Sequence, residues 1–386
     1  MKDCAVIMNI MSNNAHPKVL ICGVLPPPYF GHSVIYEMLM DSSFSASVRV
    51  RFLNMHFWSY QTHKKVTAEK IFKMVKYYFQ YVASIVLWRP RYVLYNSSFY
   101  RMPFLKDFLF CATGIVLGRK VIFHDHGQYV RELHDSLPSW QRAMLRWMLR
   151  HAAGSIVMGE SVRLTYQGFM DDAKIFIVPG VVEDTRSIKV EANRPASGFL
   201  NVLYFSHMSL AKGIFVAFDA AAQILKARRD VMVTFGGPIE SDEVALRLEG
   251  LQKQYPGRVR YMGYVEDVCE RTALFRGADI FMFTTLRDVF GLVLLHAMAE
   301  GLPIVASREG TIPEIIPDER YGILFEKGDA QALAESVLAL VVDEGRRTAM
   351  GASNRARFEQ NYCLEVYGRR MQDAFRAAGF LERRCG

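Results

Sequence analysis

The chain has 386 residues, of which 51% are hydrophobic and 22% charged, and its formal net charge is +8. This length exceeds what one hydrophobic core usually supports, so we expect about two globular domains and exclude a disordered chain. Its six cysteines are scattered, which argues against a disulfide framework or a cysteine metal site and favours a reducing compartment.

Residues 1–17 predict a loose, flexible tail. No signal peptide is expected, because residues 1–16 are mostly polar and lack a continuous apolar region. The longest apolar runs, at Tyr77–Trp88 and Phe108–Gly118, are shorter than the roughly 18 to 20 residues that a membrane-spanning helix needs. The sequence therefore predicts a cytoplasmic protein.

The positive charge is concentrated in the first half of the chain. Residues 1–185 contain 21 Lys and Arg against 13 Asp and Glu, a net of +8, whereas the remainder contains 26 of each. Nucleic acid, an anionic membrane surface and a phosphorylated substrate are all partners that suit such a half.

Strands and helices alternate through residues 18–185. Val19–Gly23 has the pattern of a buried strand, and a proline-rich loop with Tyr29 and Gly31 follows it. Gly31 permits close approach of the backbone to a ligand, and Ser33 can cap a helix that begins near Val34. A rigid turn that binds nothing explains this loop equally well. Further strands are predicted at Val48–Leu53, Tyr92–Tyr95, Lys120–Phe123, Ser155–Met158 and Lys174–Val178. This alternation is typical of a Rossmann-like domain.

Lys64–Trp88 predicts a long helix in which five lysines precede an aromatic and aliphatic segment. A basic amphipathic helix with aromatic residues suits a membrane interface. The alternative is a helix packed on the core with a solvated lysine face. We favour membrane contact, because the excess charge of the whole half indicates the same partner.

His124, Asp125 and His126 follow the strand Lys120–Phe123. Such residues at a strand's carboxyl end suggest chemistry or a metal, but the sequence places no third ligand. We expect a hydrogen-bonding role for His126, and a purely structural role is the alternative.

Residues 186–198 are polar and predict a linker to a second alternating half over residues 199–360. Its strands are predicted at Asn201–Phe205, Val231–Phe235, Val259–Met262, Ile280–Phe283 and Gly322–Phe325. Residues 345–378 predict closing helices. No nucleic-acid module, zinc spacing, nucleophile elbow or Walker loop is present, so nucleic acid is not expected as a partner.

Thr284–Ser307 follows a buried strand and has the pattern of loop, helix and strand. The loop holds Asp288 and Gly291, and apolar residues recur at helical spacing from Leu292. In open α/β sheets ligands bind at the carboxyl ends of strands, where helix N-termini offer free N–H groups. The segment therefore predicts a site for a ligand with an anionic part.

The same segment carries a family resemblance. Residues 288–307 read DVFGLVLLHAMAEGLPIVAS and residues 310–314 read GTIPE. They resemble E-G-F-G-L-x-x-x-E-A-M-A-x-G-x-P-V-V-A-S followed by G-G-x-P-E in the retaining, nucleotide-sugar-dependent glycosyltransferases of family four (glycosyltransferase group 1). Ser206–Gly213 is similar to the G-R-L-x-x-x-K-G loop of that family. Pro26–Gly31 is similar to its proline-rich acceptor-side loop, and His126-Gly127 to its H-G motif.

The resemblance implies an α/β protein of the GT-B fold, with two Rossmann-like domains (residues 18–185 and 199–360) facing each other across a cleft. A C-terminal helix in residues 361–386 would pack back on the first domain. The implied activity is transfer of a sugar from a nucleotide-diphosphate donor, with retention, to a glycan or lipid-linked acceptor in cell-surface polysaccharide synthesis. No cofactor or metal is expected, and the protein would be peripheral on the inner face of the plasma membrane.

The resemblance also assigns residue roles. Lys212 would neutralise the diphosphate, Asp288 would hold donor sugar hydroxyls, His296 would meet the ribose, and His126 would lie by the reaction centre. His126, Lys212 and Asp288 are the implied catalytic residues. The implied donor-binding residues are Gly31, His207, Lys212, Gly237, Asp288, Val289, Phe290, Gly291, Leu292 and His296. Tyr29 and Ser33 are the implied acceptor-binding residues.

Four positions differ from the family pattern. Asp288 and His296 stand in place of its two glutamates. His207 stands where arginine is frequent, and Gly180, after Val178-Pro179, stands where asparagine is common. Two alternatives therefore accompany the predicted transferase. One is a catalytically silent GT-B subunit that serves as a binding partner, and the other is a sugar-nucleotide hydrolase or epimerase on the same architecture.

Overall fold

The computed structural model describes residues 7–10, 16–27, 29, 31–57, 67–97, 99–101, 103–127, 130–194 and 198–379. The chain divides into two compact units. The first unit contains Met1–Gly180 together with Leu364–Gly386, and the second contains Val181–Cys363.

The described residues of the first unit form a seven-stranded sheet with the order β1-β3-β2-β4-β5-β6-β7. Its strands are β1 Ile7–Ile10, β2 Lys18–Gly23, β3 Arg49–Asn54, β4 Tyr92–Ser97, β5 Lys120–Asp125, β6 Gly154–Val157 and β7 Ile175–Ile177. The helices are α1 Gly31–Asp41, α2 Ser43–Ser47, α3 Ala68–Ala83, α4 Phe104–Val116, α5 Val130–Ser136, α6 Ser139–His151 and α7 Glu160–Leu164. A π-helical turn, Ser84–Trp88, extends α3. The strands pair in parallel except β1, which is antiparallel to β3.

Strand β1 corrects the prediction of a loose tail, since Ile7–Ile10 pairs in register with Val50–Leu53 of β3. An outermost strand presents unpaired N–H and C=O groups, and pairing with another strand satisfies them.

Of the predicted helix at Lys64–Trp88, residues 64–66 lie outside the described residues. Helix α3 begins at Ala68, where the Thr67 hydroxyl accepts a hydrogen bond from the Lys70 N–H.

The described residues of the second unit form a six-stranded parallel sheet with the order β10-β9-β8-β11-β12-β13. The strands are β8 Leu200–Phe205, β9 Val231–Gly236, β10 Val259–Tyr261, β11 Ile280–Phe283, β12 Ile304–Ser307 and β13 Ile323–Phe325. The helices are α8 Ile214–Ala227, α9 Asp242–Gln254, α10 Val268–Arg276, α11 Leu292–Ala299, α12 Ile312–Ile315, α13 Ala330–Val342 and α14 Glu344–Asn361.

The strand order of the second sheet creates a switch point. From β8 the chain proceeds outward to β9 and β10, and it then returns to β11 on the other side of β8 and proceeds to β12 and β13. The loops that follow β8 and β11 therefore leave adjacent strands in opposite directions. A crevice between such loops is where open α/β sheets bind ligands.

The predicted linker over residues 186–198 is wrong for its described part, because this stretch packs on the second unit. The Arg276 guanidinium donates to the carbonyls of Thr185 and Ile188, each at 2.7 Å. The Asn193 N–H donates to the Ala273 carbonyl at 2.8 Å. Polar composition was a poor guide here, since the polar side chains of this segment also bind the second unit: the Asn193 side chain accepts from Arg260, and Arg194 pairs with Asp279.

The last described helix, α15 Leu364–Ala377, packs on the first unit. Phe375 meets Phe44 with ring centroids 4.7 Å apart, and the Gln372 amide donates to the Ser43 carbonyl at 2.8 Å. The chain thus returns to its first unit after completing the second.

Candidate active site

The two loops at the switch point of the second unit are joined by hydrogen bonds. The Thr284 hydroxyl lies within 3.0 Å of the Lys212 carbonyl and 2.9 Å of the Gly213 carbonyl. The N–H groups of Leu286 and Arg287 both donate to the Ala211 carbonyl, at 3.0 and 3.1 Å. We call these contacts the loop seam. They fix the loop after β8 against the loop after β11.

Gly213 makes the loop seam sterically feasible. Its φ is +66°, and a Cβ added there would overlap the carbonyl oxygen of Thr284. Only glycine meets both conditions without displacing backbone. The structure therefore explains why glycine follows Lys212 in the loop that resembles the family's K-G loop.

Lys212 and Asp288 meet across the loop seam. The Lys212 Nζ lies 2.5 Å from Asp288 Oδ2, and both side chains are partly buried. Asp288 Oδ1 accepts a hydrogen bond from the Val289 N–H at 2.8 Å, which fixes the carboxylate. The ammonium is thus held in place at the carboxyl ends of the central strands. The resemblance implied a role for each residue separately, and the structure shows them as an ion pair.

The residues between Asp288 and helix α11 differ in what they can offer a ligand. The Phe290 side chain is buried and contacts the Tyr362 ring, so only its backbone is available. The Val289 carbonyl accepts from the Thr311 N–H and hydroxyl, which connects this loop to the loop after β12. Gly291 precedes α11, whose first N–H groups have no partner within the helix. Leu292 is half-buried at the first position of α11.

His296 lies in the second turn of α11 and is partly exposed, with its ring 5.9 Å from that of Phe275. Surrounding protein atoms, and secondarily the Arg271 charge, lower the pKa of His296 to about 3. The imidazole is therefore neutral near pH 7, and it can offer a ligand one donor and one acceptor.

His207 and Gly237 belong to the loops after β8 and β9. His207 is exposed. Gly237 has a φ of +128°, and a Cβ there would overlap the Ser206 carbonyl oxygen. The Gly237 N–H donates to the Gly263 carbonyl at 2.8 Å, so this glycine brings three loops together. Sequence reasoning assigned no role to Thr284 or Thr311. Thr311 follows Gly310, which is a usable signal, whereas Thr284 meets Gly213 only through a contact between residues 71 positions apart.

In the first unit, His126 follows β5 and is partly buried. Its ring centroid lies 4.0 Å from that of His124 and 5.6 Å from that of Tyr36. Neither ring nitrogen has a hydrogen-bond partner within the described part of the chain. Burial, with smaller effects from His124 and His32, lowers the pKa of His126 well below its usual value, so the ring is neutral.

Asp125, which the sequence analysis named beside His126 without giving it a role of its own, fixes the turn after β5. Its carboxylate accepts from the Gly127 N–H at 2.9 Å and from the Tyr166 hydroxyl at 2.7 Å. Tyr166 in turn accepts from the Ser155 hydroxyl at 2.9 Å. Burial raises the pKa of Asp125 to about 7, despite these hydrogen bonds.

The predicted acceptor-side residues separate in the structure. Tyr29 is exposed, and Gly31 is the exposed first residue of α1. Ser33 is fully buried as the third residue of α1, so its predicted role as a helix cap is wrong, and its contact with an acceptor stays a prediction. The helix begins two residues before Ser33, which places its side chain against the core. Pro28 and Phe30 of this loop lie outside the described residues.

Buried histidines predict an acid-sensitive fold. Burial lowers the pKa of His32 to about 4 and that of His124 to about 3, from about 6.5 in an unfolded chain. Below pH 6.5 the unfolded chain therefore binds protons that the folded chain does not. The free energy of unfolding should fall as pH drops from 6.5 towards 4, by up to about 1.4 kcal/mol per pH unit for each such histidine. Asp125 has the opposite sign, because its pKa is raised from 3.8 to about 7: its contribution to stability is fully present below about pH 4 and is lost as pH rises to 7.

Urea unfolding at pH 5 and pH 7 measures this effect. His124→Asn should reduce the difference between the two pH values, whereas His151→Asn, at an exposed position, should leave it unchanged. An equal response of the two variants would contradict the assignment to burial.

Within the described ranges, no three His, Cys, Asp or Glu side chains form a group that could hold a metal ion. Likewise, none of the helices described above combines the length and apolar character needed to cross a bilayer.

Comparison with known proteins identifies the architecture. A sucrose-phosphate synthase from Thermosynechococcus elongatus superimposes with a TM-score of 0.70 at 17% identity, covering 93% of this chain and 98% of that one. Anabaena HepE in complex with UDP-glucose gives 0.69 at 14% identity, covering 94% and 100%. Both share the GT-B fold, so the predicted fold class is confirmed.

The family match lies in the second unit. Residues 200–343 match the family described as Glycosyl transferases group 1. A phosphatidyl-myo-inositol mannosyltransferase from Mycobacterium leprae is 30% identical over 152 residues, 38% of this chain and 39% of the relative. One component of the Arabidopsis thaliana phosphatidylinositol N-acetylglucosaminyltransferase is 25% identical over 211 residues, 53% of this chain and 45% of the relative. The matched segments thus span less than half the length of these relatives.

The architecture of the chain is therefore the GT-B fold. The family match in the second unit agrees with the resemblance of residues 288–314 to the group 1 glycosyltransferases.

Proposed function

We propose that the chain is a retaining glycosyltransferase that moves a sugar from a nucleotide-diphosphate donor to a glycan or lipid-linked acceptor in cell-surface polysaccharide synthesis. The observation that carries this proposal is the Lys212–Asp288 pair, held at the switch point beside the N-terminus of α11. A fixed cation next to a helix N-terminus is suited to a diphosphate.

The proposed reaction uses the Lys212 ammonium and the N–H groups at the start of α11. The bond between the anomeric carbon and the diphosphate oxygen breaks, and the acceptor hydroxyl oxygen forms the new bond on the same face of the sugar. The acceptor proton passes to the leaving phosphate oxygen. Lys212 and the first N–H groups of α11 stabilise the charge that develops on the diphosphate, and no metal is required.

Other residues receive proposed roles of orientation. Asp288 holds Lys212 and binds donor sugar hydroxyls, and neutral His296 binds the ribose. His126 hydrogen-bonds the reacting sugar, a role supported by its two shielded ring nitrogens, which have no partner in the described residues. His207 and Gly237 line the donor loops, and Tyr29 and Gly31 belong to the proposed ligand loop of the first unit.

The relatives support the proposed substrates. HepE binds UDP and UDP-glucose, which supports a nucleotide-sugar donor. The names of the M. leprae and A. thaliana relatives specify phosphatidylinositol acceptors, which supports a lipid-linked acceptor at a membrane. The net charge of +8 in residues 1–185 agrees with a peripheral protein on the anionic inner face of the plasma membrane.

A panel of UDP-, GDP-, ADP- and dTDP-sugars, each incubated with and without phosphatidylinositol or lipid-linked sugar acceptors, tests this function. We expect nucleotide release from one donor that depends on an acceptor, because transfer needs both substrates. Equal release without acceptor would indicate a hydrolase or epimerase instead. Binding of a nucleotide sugar with no turnover under any condition would indicate a silent subunit. The anomeric configuration of the product, read by NMR, tests retention.

A further inference from the structure

Helix α3 and its π-helical turn expose an apolar stripe. Phe72 is 71% exposed, Phe79 69% and Leu87 80%. The exposed apolar residues are Ile71, Phe72, Val75, Phe79, Val86 and Leu87. Their spacing of three, four and seven residues places them on one side, whereas Tyr77 and Tyr81 are buried on the opposite side. This helix is therefore apolar towards solvent as well as towards the core.

Helix α4 adds a second apolar stripe beside the first. Its exposed apolar residues, with the residue that follows it, are Leu105, Leu109, Val116 and Leu117. The Tyr78 hydroxyl on α3 lies 2.9 Å from the Thr113 hydroxyl on α4. Thr113 lies about one helical turn after Leu109, and Tyr78 lies about one turn after Val75. The contact between the two hydroxyls therefore brings the two apolar stripes next to each other. We call their combined surface the α3–α4 face. A soluble protein rarely exposes so many contiguous large apolar side chains.

The segment that carries the α3–α4 face has a large excess of positive charge. Residues 67–120 contain nine Lys and Arg but two Asp and Glu, a net of +7 from the chain's total of +8. The two acids are already matched, since Glu69 pairs with Lys73 and Asp107 with Lys106. Exposed cations in this segment are Lys76, Arg89, Arg91, Arg101 and Lys120. Several of them directly follow the π-helical turn or α4.

We propose that the α3–α4 face docks the protein onto an anionic lipid bilayer. The apolar side chains enter the boundary between headgroups and acyl chains, and the flanking cations bind anionic headgroups. The two helices lie along the membrane plane. A second copy of the chain is a poorer occupant, because it would oppose two surfaces of like charge. The proposal deepens the proposed function by placing a lipid-linked acceptor within reach, but its test requires no activity.

Vesicle co-flotation measures the docking. The wild-type protein should float with phosphatidylglycerol vesicles, bind phosphatidylcholine vesicles weakly, and lose affinity at high salt. The double variant Phe72→Ser/Phe79→Ser should bind phosphatidylglycerol vesicles about tenfold more weakly or worse, because two large apolar groups are lost. Leu246→Ser removes an apolar side chain that is 68% exposed on α9 of the second unit, and it should bind as the wild type does.

Three results would overturn the proposal. They are equal flotation with both lipids, unchanged binding by the double variant, and a wild-type dimer that the double variant converts to monomer without a loss of vesicle binding. If the double variant melts at a lower temperature, Lys76→Glu/Arg89→Glu replaces it, and a similar loss of phosphatidylglycerol binding is expected. The nucleotide-sugar assay is a separate measurement. Vesicle binding without turnover would therefore contradict the proposed transferase activity but support membrane docking by the α3–α4 face.

Discussion

Replacing Lys212 with alanine is expected to lower the turnover number for sugar transfer by roughly 10- to 1,000-fold. The ammonium is held 2.5 Å from Asp288 at the carboxyl ends of β8 and β11, so its position is fixed before the diphosphate leaves. A prearranged charge stabilises the developing negative charge without reorganisation. The measurement is acceptor-dependent nucleotide release at saturating donor.

Two further variants sharpen this result. Lys226→Ala removes an exposed lysine on α8 of the same unit and should leave turnover unchanged. Asp288→Asn should lose transfer but keep nucleotide binding, and its combination with Lys212→Ala should cost less than the sum of the two, because the residues act as a pair. Full activity of Lys212→Ala would remove this residue from the mechanism. Loss of nucleotide binding in Asp288→Asn would show that its role is wrongly assigned.

Gly213→Ala is expected to lower the free energy of unfolding by about 2–4 kcal/mol and to abolish most transfer. The new Cβ would overlap the Thr284 carbonyl oxygen and would also occupy a backbone conformation with a φ of +66°. Relief requires the loops after β8 and β11 to separate, which moves Lys212 away from Asp288. Urea unfolding and the transfer assay report the two effects.

Gly250→Ala is the matched control. Gly250 lies inside helix α9, and a Cβ there meets no atom within 4 Å. Because glycine is a poor helix former, this change should stabilise the protein by about 0.5–1 kcal/mol and leave transfer intact. If both substitutions shifted stability alike, the steric account of Gly213 would fail.

The sequence predicted the fold class because each unit is built from local patterns. Ile280–Phe283 is an uninterrupted apolar run, and the structure has β11 at those four residues. Residues 288–314 predicted the match of the second unit to the group 1 family through the fixed spacing of glycines and apolar residues, a pattern formed by neighbours along the chain.

What the sequence did not supply depends on contacts between distant residues. Lys212 and Asp288 are 76 positions apart, and no periodicity indicates that they pair. Ile7–Ile10 is too short to identify as a strand until the edge of β3 is known to be beside it. The burial of Ser33 follows from a helix start at Gly31, and boundaries of this kind depend on packing more than on local preference.

The loop seam has a consequence for how this site can change in evolution. Gly213 and Thr284 touch through backbone, so a larger residue at position 213 is accommodated only if the other strand-end loop retreats at the same time. The two loops are therefore expected to vary together, as one inherited module. New donor preferences would arise from side chains that project from this module, such as those at positions 207 and 296, where the chain already departs from the family pattern.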